Sequence, residues 1–113
     1  LLHKAVKEDA SVMPACKVFK MATEYGAKVL GWKDTGKLIP DNKADFIIME
    51  DNFKTPVTLD NIFDQIVVQG EKEFIDSVYI NGKPVLENKV LKTIDKSQVF
   101  KDMKTVAEEF WKF

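Results

Sequence analysis

The sequence predicts a small α+β fold. Three local signals carry that expectation: a helix-spaced apolar stripe behind Pro14, an Asn81-Gly82 turn between two β-prone runs, and an amphipathic stretch from Asp95 onward. Helix, sheet and helix follow one another along the chain, without repeats or low-complexity tracts.

At 113 residues the chain has room for one domain with a modest core, and 45% hydrophobic with 31% charged residues is ordinary for a soluble globular protein. A formal net charge of −1 supplies no field to attract nucleic acid or an anionic membrane. Lys is used throughout and Arg nowhere, so the guanidinium fork of most base and phosphate readers is missing and no nucleic-acid partner is expected. No run approaches the roughly 20 apolar residues that span a bilayer, and Leu1-Leu2-His3-Lys4 lacks signal-peptide organisation, so no membrane partner is expected either. The single Cys16 excludes an intrachain disulfide and fits a reducing compartment, and the expected location is the cytoplasm. The chain opens without Met on what reads as mid-helix, as a piece of something longer would.

Leu1 to Lys7 reads as a helix tail stopped by the polar stretch Glu8-Asp9-Ala10-Ser11. Pro14 suits the first position of the next helix, where its missing N–H costs nothing. Ala15, Val18, Phe19 and Ala22 then fall at helical spacing, and Val29 and Leu30 continue the stripe to Gly31, a natural residue to follow a helix. Thr23 and Gly26 interrupt it, so a break is expected near Thr23 to Tyr25, with Thr23 capping a second short helix.

Phe46-Ile47-Ile48-Met49 is a continuous apolar run behind turn residues and reads as a strand covered on both faces. Thr58 to Val68 fits a short helix ending near Gly70, with Leu59, Ile62, Phe63, Ile66 and Val67 on one side. Val78-Tyr79-Ile80 and Lys83-Pro84-Val85-Leu86 flank Asn81-Gly82, which supplies both positive φ angles of a type I′ hairpin. Pro84 cannot donate to a ladder, so the second strand should be open on one side there. Asp95 reads as an N-cap with Gln98 as its capping-box partner. Val99, Phe100, Met103, Val106, Ala107, Phe110 and Trp111 then form one apolar face that must pack against something.

Candidate chemistry is sparse. One histidine cannot build a multi-histidine metal centre, and no Cys pair stands at metal-ligand spacing. His3 reads as a helix-surface residue and Cys16 as a small core residue. Gly26, Gly31 and Gly36 have neither phosphate-loop spacing, and read as close packing, a helix stop and a turn. Asp45, Asp51, Asp60, Asp64 and Asp76 are scattered over predicted loops and element ends. Asp45 stands out because it precedes an apolar run, and its expected role is to be held by backbone N–H groups of the loop before it. On these grounds the catalytic, cofactor-binding and metal residues are all expected to be none.

Together, residues 1–15 (LLHKAVKEDASVMPA), residues 21–50 (MATEYGAKVLGWKDTGKLIPDNKADFIIME) and residues 78–91 (VYINGKPVLENKVL) resemble the C-terminal segment of the amidohydrolase superfamily. The branch is the one with methylthioadenosine/S-adenosylhomocysteine deaminases, guanine-deaminase-like enzymes and triazine chlorohydrolases. Met21-Ala22-Thr23, Gly26-Ala27 and Leu30-Gly31 match the family's helix, Gly36-Lys37-Leu38 its turn, Lys43-Ala44-Asp45 its GKxAD strand lead-in and Asn81-Gly82-Lys83 its return hairpin. Asn42 replaces the usual Gly before the Lys, and can adopt the same left-handed conformation.

The resemblance implies a parent in which a (β/α)₈ barrel holds zinc or iron through histidines and an aspartate and activates water toward an amidine-like or C–Cl carbon. None of those ligands maps onto this chain, and a barrel needs about 250 residues. The implied organisation is residues 1–35 as the last barrel-associated helices, 36–94 as the C-terminal share of a small β-sandwich assembled from both chain ends, and 95–113 as a terminal helix. The implied partner is the remainder of the parent, its N-terminal sandwich strands and barrel. Strand edges left open are expected to invite self-association. The competing expectation is a free-standing α+β interaction module without catalysis.

Overall fold

The structure, a computed structural model, describes residues 2–9 and 11–112, with side chains from Lys4 onward. The expectations for Leu1, Ala10, Phe113 and the His3 side chain lie outside it.

Three short helices come first: α1 (Leu2–Lys7), α2 (Ala15–Ala22) and α3 (Glu24–Val29). Pro14 precedes α2 rather than opening it. Its ψ of 149° is extended, while its carbonyl already accepts from Lys17 and Val18. The expected break falls at Thr23, whose φ of −120° and ψ of −97° end α2 and begin α3. Thr23 does not cap α3, however, because its hydroxyl donates back to the Phe19 carbonyl at 3.0 Å. Past α3, Gly31 takes φ +72°, with its N–H on the Lys28 carbonyl and the Trp32 N–H on the Ala27 carbonyl. That pair of bonds is a Schellman motif, which explains why a glycine stands there.

The stripe on these helices is only partly covered. Ala15 is buried, and the Phe19 ring sits 5.2 Å from Phe63. Val29 and Leu30 are 87% and 62% exposed, contrary to expectation, because the break at Thr23 turns α3 away from the face that α2 covers.

The sheet has four antiparallel strands in the order β1 (Phe46–Met49), β2 (Ile75–Ile80), β3 (Lys83–Glu87) and β4 (Val90–Leu91). Asn81 (φ +51°) and Gly82 (φ +73°) make the expected hairpin turn. In such a turn Ile80 and Lys83 form the hydrogen-bonded pair, so Pro84, opposite Tyr79, turns its nitrogen away from β2. There β3 is open, because β4 pairs only with Leu86 and Glu87. A shift in register leaves Val85 as a bulge, and its carbonyl accepts from Lys92 at 2.9 Å. The β3–β4 hairpin was not expected. Its turn residues Asn88 (φ +51°) and Lys89 (φ +62°) reach the left-handed region without any glycine to announce it.

β1 is an edge strand with Ile47 and Ile48 about half exposed, so neither face has the cover that its apolar sequence predicts. Between β1 and β2 the chain makes an excursion that returns to its starting point, closed by the Glu50 N–H on the Phe74 carbonyl at 2.7 Å. Within it lie α4 (Ile62–Asp64), which widens into a π-helical turn over Gln65–Gln69, and a 3₁₀ turn over Lys72–Phe74. The helix expected from Thr58 starts later, since the Asn61 side chain holds the Thr58 N–H at 2.8 Å and Leu59 faces solvent.

Finally α5 (Lys96–Phe110) is capped by Asp95, whose carboxylate accepts from the Ser97 and Gln98 N–H groups. Gln98 does not complete a capping box, because its amide donates forward to Asp102 at 2.8 Å. Every residue of α5 is exposed, and none of the substantial packing between elements involves it.

The elements are thus formed but not filled. Among the described residues the buried apolar side chains are Ala15 and Ala27, and no large side chain is fully enclosed. The Cα radius of gyration is 18.5 Å, against about 13 Å for a compact chain near this length.

Candidate functional site

Two long-range hydrogen bonds converge where the lead-in to β1 meets the β2–β3 turn. The Asp45 carboxylate accepts from the Asn81 N–H at 2.6 Å, and the Ala44 carbonyl accepts from the Gly82 N–H at 3.0 Å. A charged acceptor on a backbone donor makes the stronger of these bonds. Asp45 is therefore held by backbone, as expected, but by the far hairpin rather than the loop before it. The pair ties the two signatures, Lys43-Ala44-Asp45 and Asn81-Gly82-Lys83, to each other across the sheet.

Lys43 anchors the other side. Its N–H donates to the Asp34 carbonyl at 2.7 Å, and its ammonium lies 3.1 Å from the Asp34 carboxylate, which holds that carboxyl below its usual range. The left-handed residue of this loop is Asp41 (φ +68°), not Asn42. Asn42 instead donates its amide to the Lys37 carbonyl at 3.2 Å. Gly36 combines φ +84° with close approach to α3, where an added Cβ would meet Ala27 Cβ and the Thr23 carbonyl oxygen at 3.0 Å. Its place in the Gly36-Lys37-Leu38 turn thus has two physical reasons.

Two further polar groups sit on the sheet. The Tyr79 hydroxyl donates to Glu87 at 3.1 Å while Lys92 lies 3.1 Å from the other Glu87 oxygen. Lys92 and then Tyr79 hold the Glu87 carboxyl below its ordinary value, and the bond to Glu87 raises the Tyr79 phenol. Phe46 stacks on the Tyr79 ring at 4.7 Å. Lys89 lies 2.7 Å from Glu50 and holds its carboxyl down.

The bonds of Ala44, Asp45 and Lys43 fix backbone to backbone across the sheet and its lead-in. Cys16 is exposed at the start of α2, not in a core, because the stripe that α2 covers runs through Ala15 and Phe19. Asp51, Asp60 and Asp64 are exposed, and Asp76 accepts from the Ser77 hydroxyl at 2.7 Å. Phe110 meets Trp111 edge to face at the end of α5, and both, like Phe100 nearly three turns earlier, are far more open than a core face. Among the described residues no three His, Cys, Asp or Glu side chains cluster as a metal would need, and no helix is long and apolar enough to cross a membrane. With one histidine and one exposed thiol, the chain's own His and Cys donors are too few for a multi-histidine zinc or iron centre.

The Amidohydrolase family profile matches residues 1–85. The 5-methylthioadenosine/S-adenosylhomocysteine deaminase of Thermoanaerobacter pseudethanolicus is 32% identical over 108 residues, 95% of this chain and 25% of that protein. The deaminase of the same description from Aquifex aeolicus is 36% identical over 98 residues, 87% of this chain and 23% of its own. Among solved structures, an adenosine deaminase from Xanthomonas campestris with bound zinc superposes at a TM-score of 0.86 and 25% identity, over 96% of this chain and 25% of that one. A triazine hydrolase variant shares the fold at a TM-score of 0.77 and 20% identity, over 94% of this chain and 24% of its own. The chain thus spans about a quarter of the length of the curated relatives it matches.

Proposed function

The chain belongs to the amidohydrolase family, and we propose that it is the C-terminal quarter of a metal-dependent member that removes an amino group hydrolytically from a purine-like substrate. In that reaction water forms a new C–O bond and the exocyclic C–N bond breaks, releasing ammonia. The observation that carries the reading is the unfilled interior. A chain whose buried apolar residues among those described are two alanines has its secondary structure in place and its covering layers elsewhere. The descriptions of the relatives support deamination over dechlorination, since the deaminases match at higher identity than the triazine hydrolase.

In this reading residues 1–35 pack beside the barrel, 36–94 complete a composite sandwich, and 95–113 form a terminal helix. The chain's own contribution is mechanical. The clamp from Ala44 and Asp45 to Asn81 and Gly82 fixes the angle at which the chain passes from barrel to sandwich. The zinc or iron of such an enzyme would be held by residues outside this chain, whose own His and Cys donors are too few for a multi-histidine centre. By itself the chain is inactive, and its open β1 edge associates with further copies.

The free-standing interaction module remains the second reading, favoured by the exposed apolar face of α5. The two readings separate on the gene. An open reading frame that continues upstream of Leu1 into several hundred codons with paired histidines, and whose protein releases ammonia from 5′-methylthioadenosine or adenosine, is the expected result. A start codon immediately before Leu1, or zinc-dependent turnover by the 113 residues alone, overturns it.

A further inference from the structure

Asn81-Gly82 is the sole Asn-Gly pair in the chain, and it stands exposed at the tip of the β2–β3 hairpin. The pair that forms the turn also carries a chemical liability. The backbone nitrogen that follows an Asn can attack the side-chain amide carbon, and glycine, with no Cβ to crowd that nitrogen, permits the attack best. We propose that Asn81 is a site of spontaneous deamidation, and that the clamp from Ala44 and Asp45 is the guard that keeps it unreacted. The inference stands whether the chain is part of a longer amidohydrolase or folds alone.

In the reaction the Gly82 nitrogen gives up its proton and bonds to Asn81 Cγ, the Cγ–Nδ2 bond breaks, and ammonia leaves with that proton. Water then opens the five-membered imide at either carbonyl. One opening leaves an aspartyl side chain at position 81, and the other reroutes the main chain through Cβ as an isoaspartyl residue.

The native turn opposes this attack in three ways. The Gly82 N–H is engaged by the Ala44 carbonyl at 3.0 Å, so the proton that must leave is held. Asn81 at φ +51° and Gly82 at φ +73° form a type I′ turn, whose first central residue has a ψ of about +30°. At that ψ the Gly82 nitrogen lies across the Cα–C bond from Asn81 Cβ, whereas the imide ring needs the two on the same side. The Asp45 carboxylate, holding the Asn81 N–H at 2.6 Å, resists the backbone rotation that would bring them together. Attack therefore waits on a local opening of the clamp. The product then works against reclosure. An isoaspartyl residue adds a methylene to a turn of two residues between paired Ile80 and Lys83, and either product sets a new carboxylate close to that of Asp45. Reaction is thus a one-way release of the β1 lead-in from the hairpin.

The experiment incubates the protein encoded by the gene in mildly alkaline buffer and follows residue 81 by peptide mass spectrometry, which reads the exchange of NH₂ for OH. Conversion in the native protein should be at least about tenfold slower than in the same protein unfolded in denaturant, and Asp45→Ala should speed native conversion about tenfold, in step with exchange of the Gly82 amide. Asp45→Asn removes the charge but keeps an acceptor, and should convert more slowly than the alanine variant. Absence of conversion in the unfolded protein overturns the site, and equal rates in native and unfolded protein overturn the guard. An Asp45→Asn rate equal to that of Asp45→Ala also overturns it, by making the charge rather than the bond responsible. Asp95→Ala, in the cap of α5, should leave the rate unchanged; an equal acceleration there means that general instability, not the clamp, exposes Asn81. If the alanine variant fails to fold, the native-to-unfolded ratio and the exchange of the Gly82 amide in wild type and Asp45→Asn decide between the same outcomes.

Discussion

The β1–β3 region and α5 contain comparable amounts of regular structure, yet they are held in opposite ways. Around the sheet, residues distant in sequence meet: Asp45 with Asn81, Ala44 with Gly82, Glu50 with Phe74 and Phe46 with Tyr79. α5 has its own ladder, its Asp95 cap and an i, i+4 bond from Gln98 to Asp102, all local. The difference teaches that regular structure and tertiary cover are separately encoded. A helix can be fully specified by its own sequence while the surface that makes it worthwhile lies beyond it.

Substitutions on the two sides should therefore differ sharply. Gly36→Val should have the largest effect, about 3 kcal/mol, from a branched residue at φ +84° pressed on Ala27 and the Thr23 carbonyl. Amide exchange at Lys43, whose N–H bonds Asp34 beside this turn, should speed up by more than about a hundredfold. Asp45→Ala should cost about 1–2 kcal/mol and raise exchange of the Asn81 amide roughly tenfold. Asp45→Asn, which keeps an acceptor, should recover part of that loss, and no recovery would argue against the hydrogen bond as the cause. Asp95→Ala should remove about 1 kcal/mol from α5 alone, read as lower helicity by circular dichroism with β-sheet exchange unchanged.

The effect of pH falls on the sheet side. Glu87 and Glu50 have lowered values, so their contribution is in place above the ordinary carboxylate value near 4.5 and is lost as pH drops through the lower folded values. Tyr79 is raised, so its contribution is in place below its ordinary value of 10.0 and is lost as pH climbs through the higher folded value. Phenolate absorbance should show Tyr79 ionising late, and Glu87→Gln should bring it earlier. The smallest effect is expected at Val106→Asp, within about 0.5 kcal/mol of zero in the 113-residue chain, because the valine is 63% exposed and covered by nothing that the substitution would lose. A large destabilisation there would erase the contrast between the two regions.

The same contrast explains what could be read from sequence. The Asn81-Gly82 hairpin, Gly31 after α3, the break at Thr23 and the Asp95 cap are decided by a few neighbouring atoms, and each was legible. The β3–β4 hairpin was not, since Asn88 and Lys89 adopt positive φ under the pull of cross-strand pairing rather than from glycine chemistry. The partner of Asp45 was also hidden, because nothing in a carboxylate specifies which backbone donor the fold will bring to it. Apolar patterning gave the identity of β1 and α5 correctly and their cover wrongly. A pattern records that a surface is meant to be buried, and the burying atoms need not belong to the same 113 residues. Of the site, both halves of the clamp were legible as a strand lead-in and a hairpin turn, whereas the bonds between them needed coordinates.

The bond from the Glu50 N–H to the Phe74 carbonyl has a consequence for engineering. It pins both ends of the excursion between β1 and β2 to one spot, so the strands on either side cannot sense the length of chain between them. Lengthening a flexible connection whose ends are already fixed carries only a logarithmic entropy penalty, about 0.6 kcal/mol per doubling. An exposed position near Asp51 or Glu71 is accordingly a place where a reporter domain could be spliced in with β-sheet register preserved.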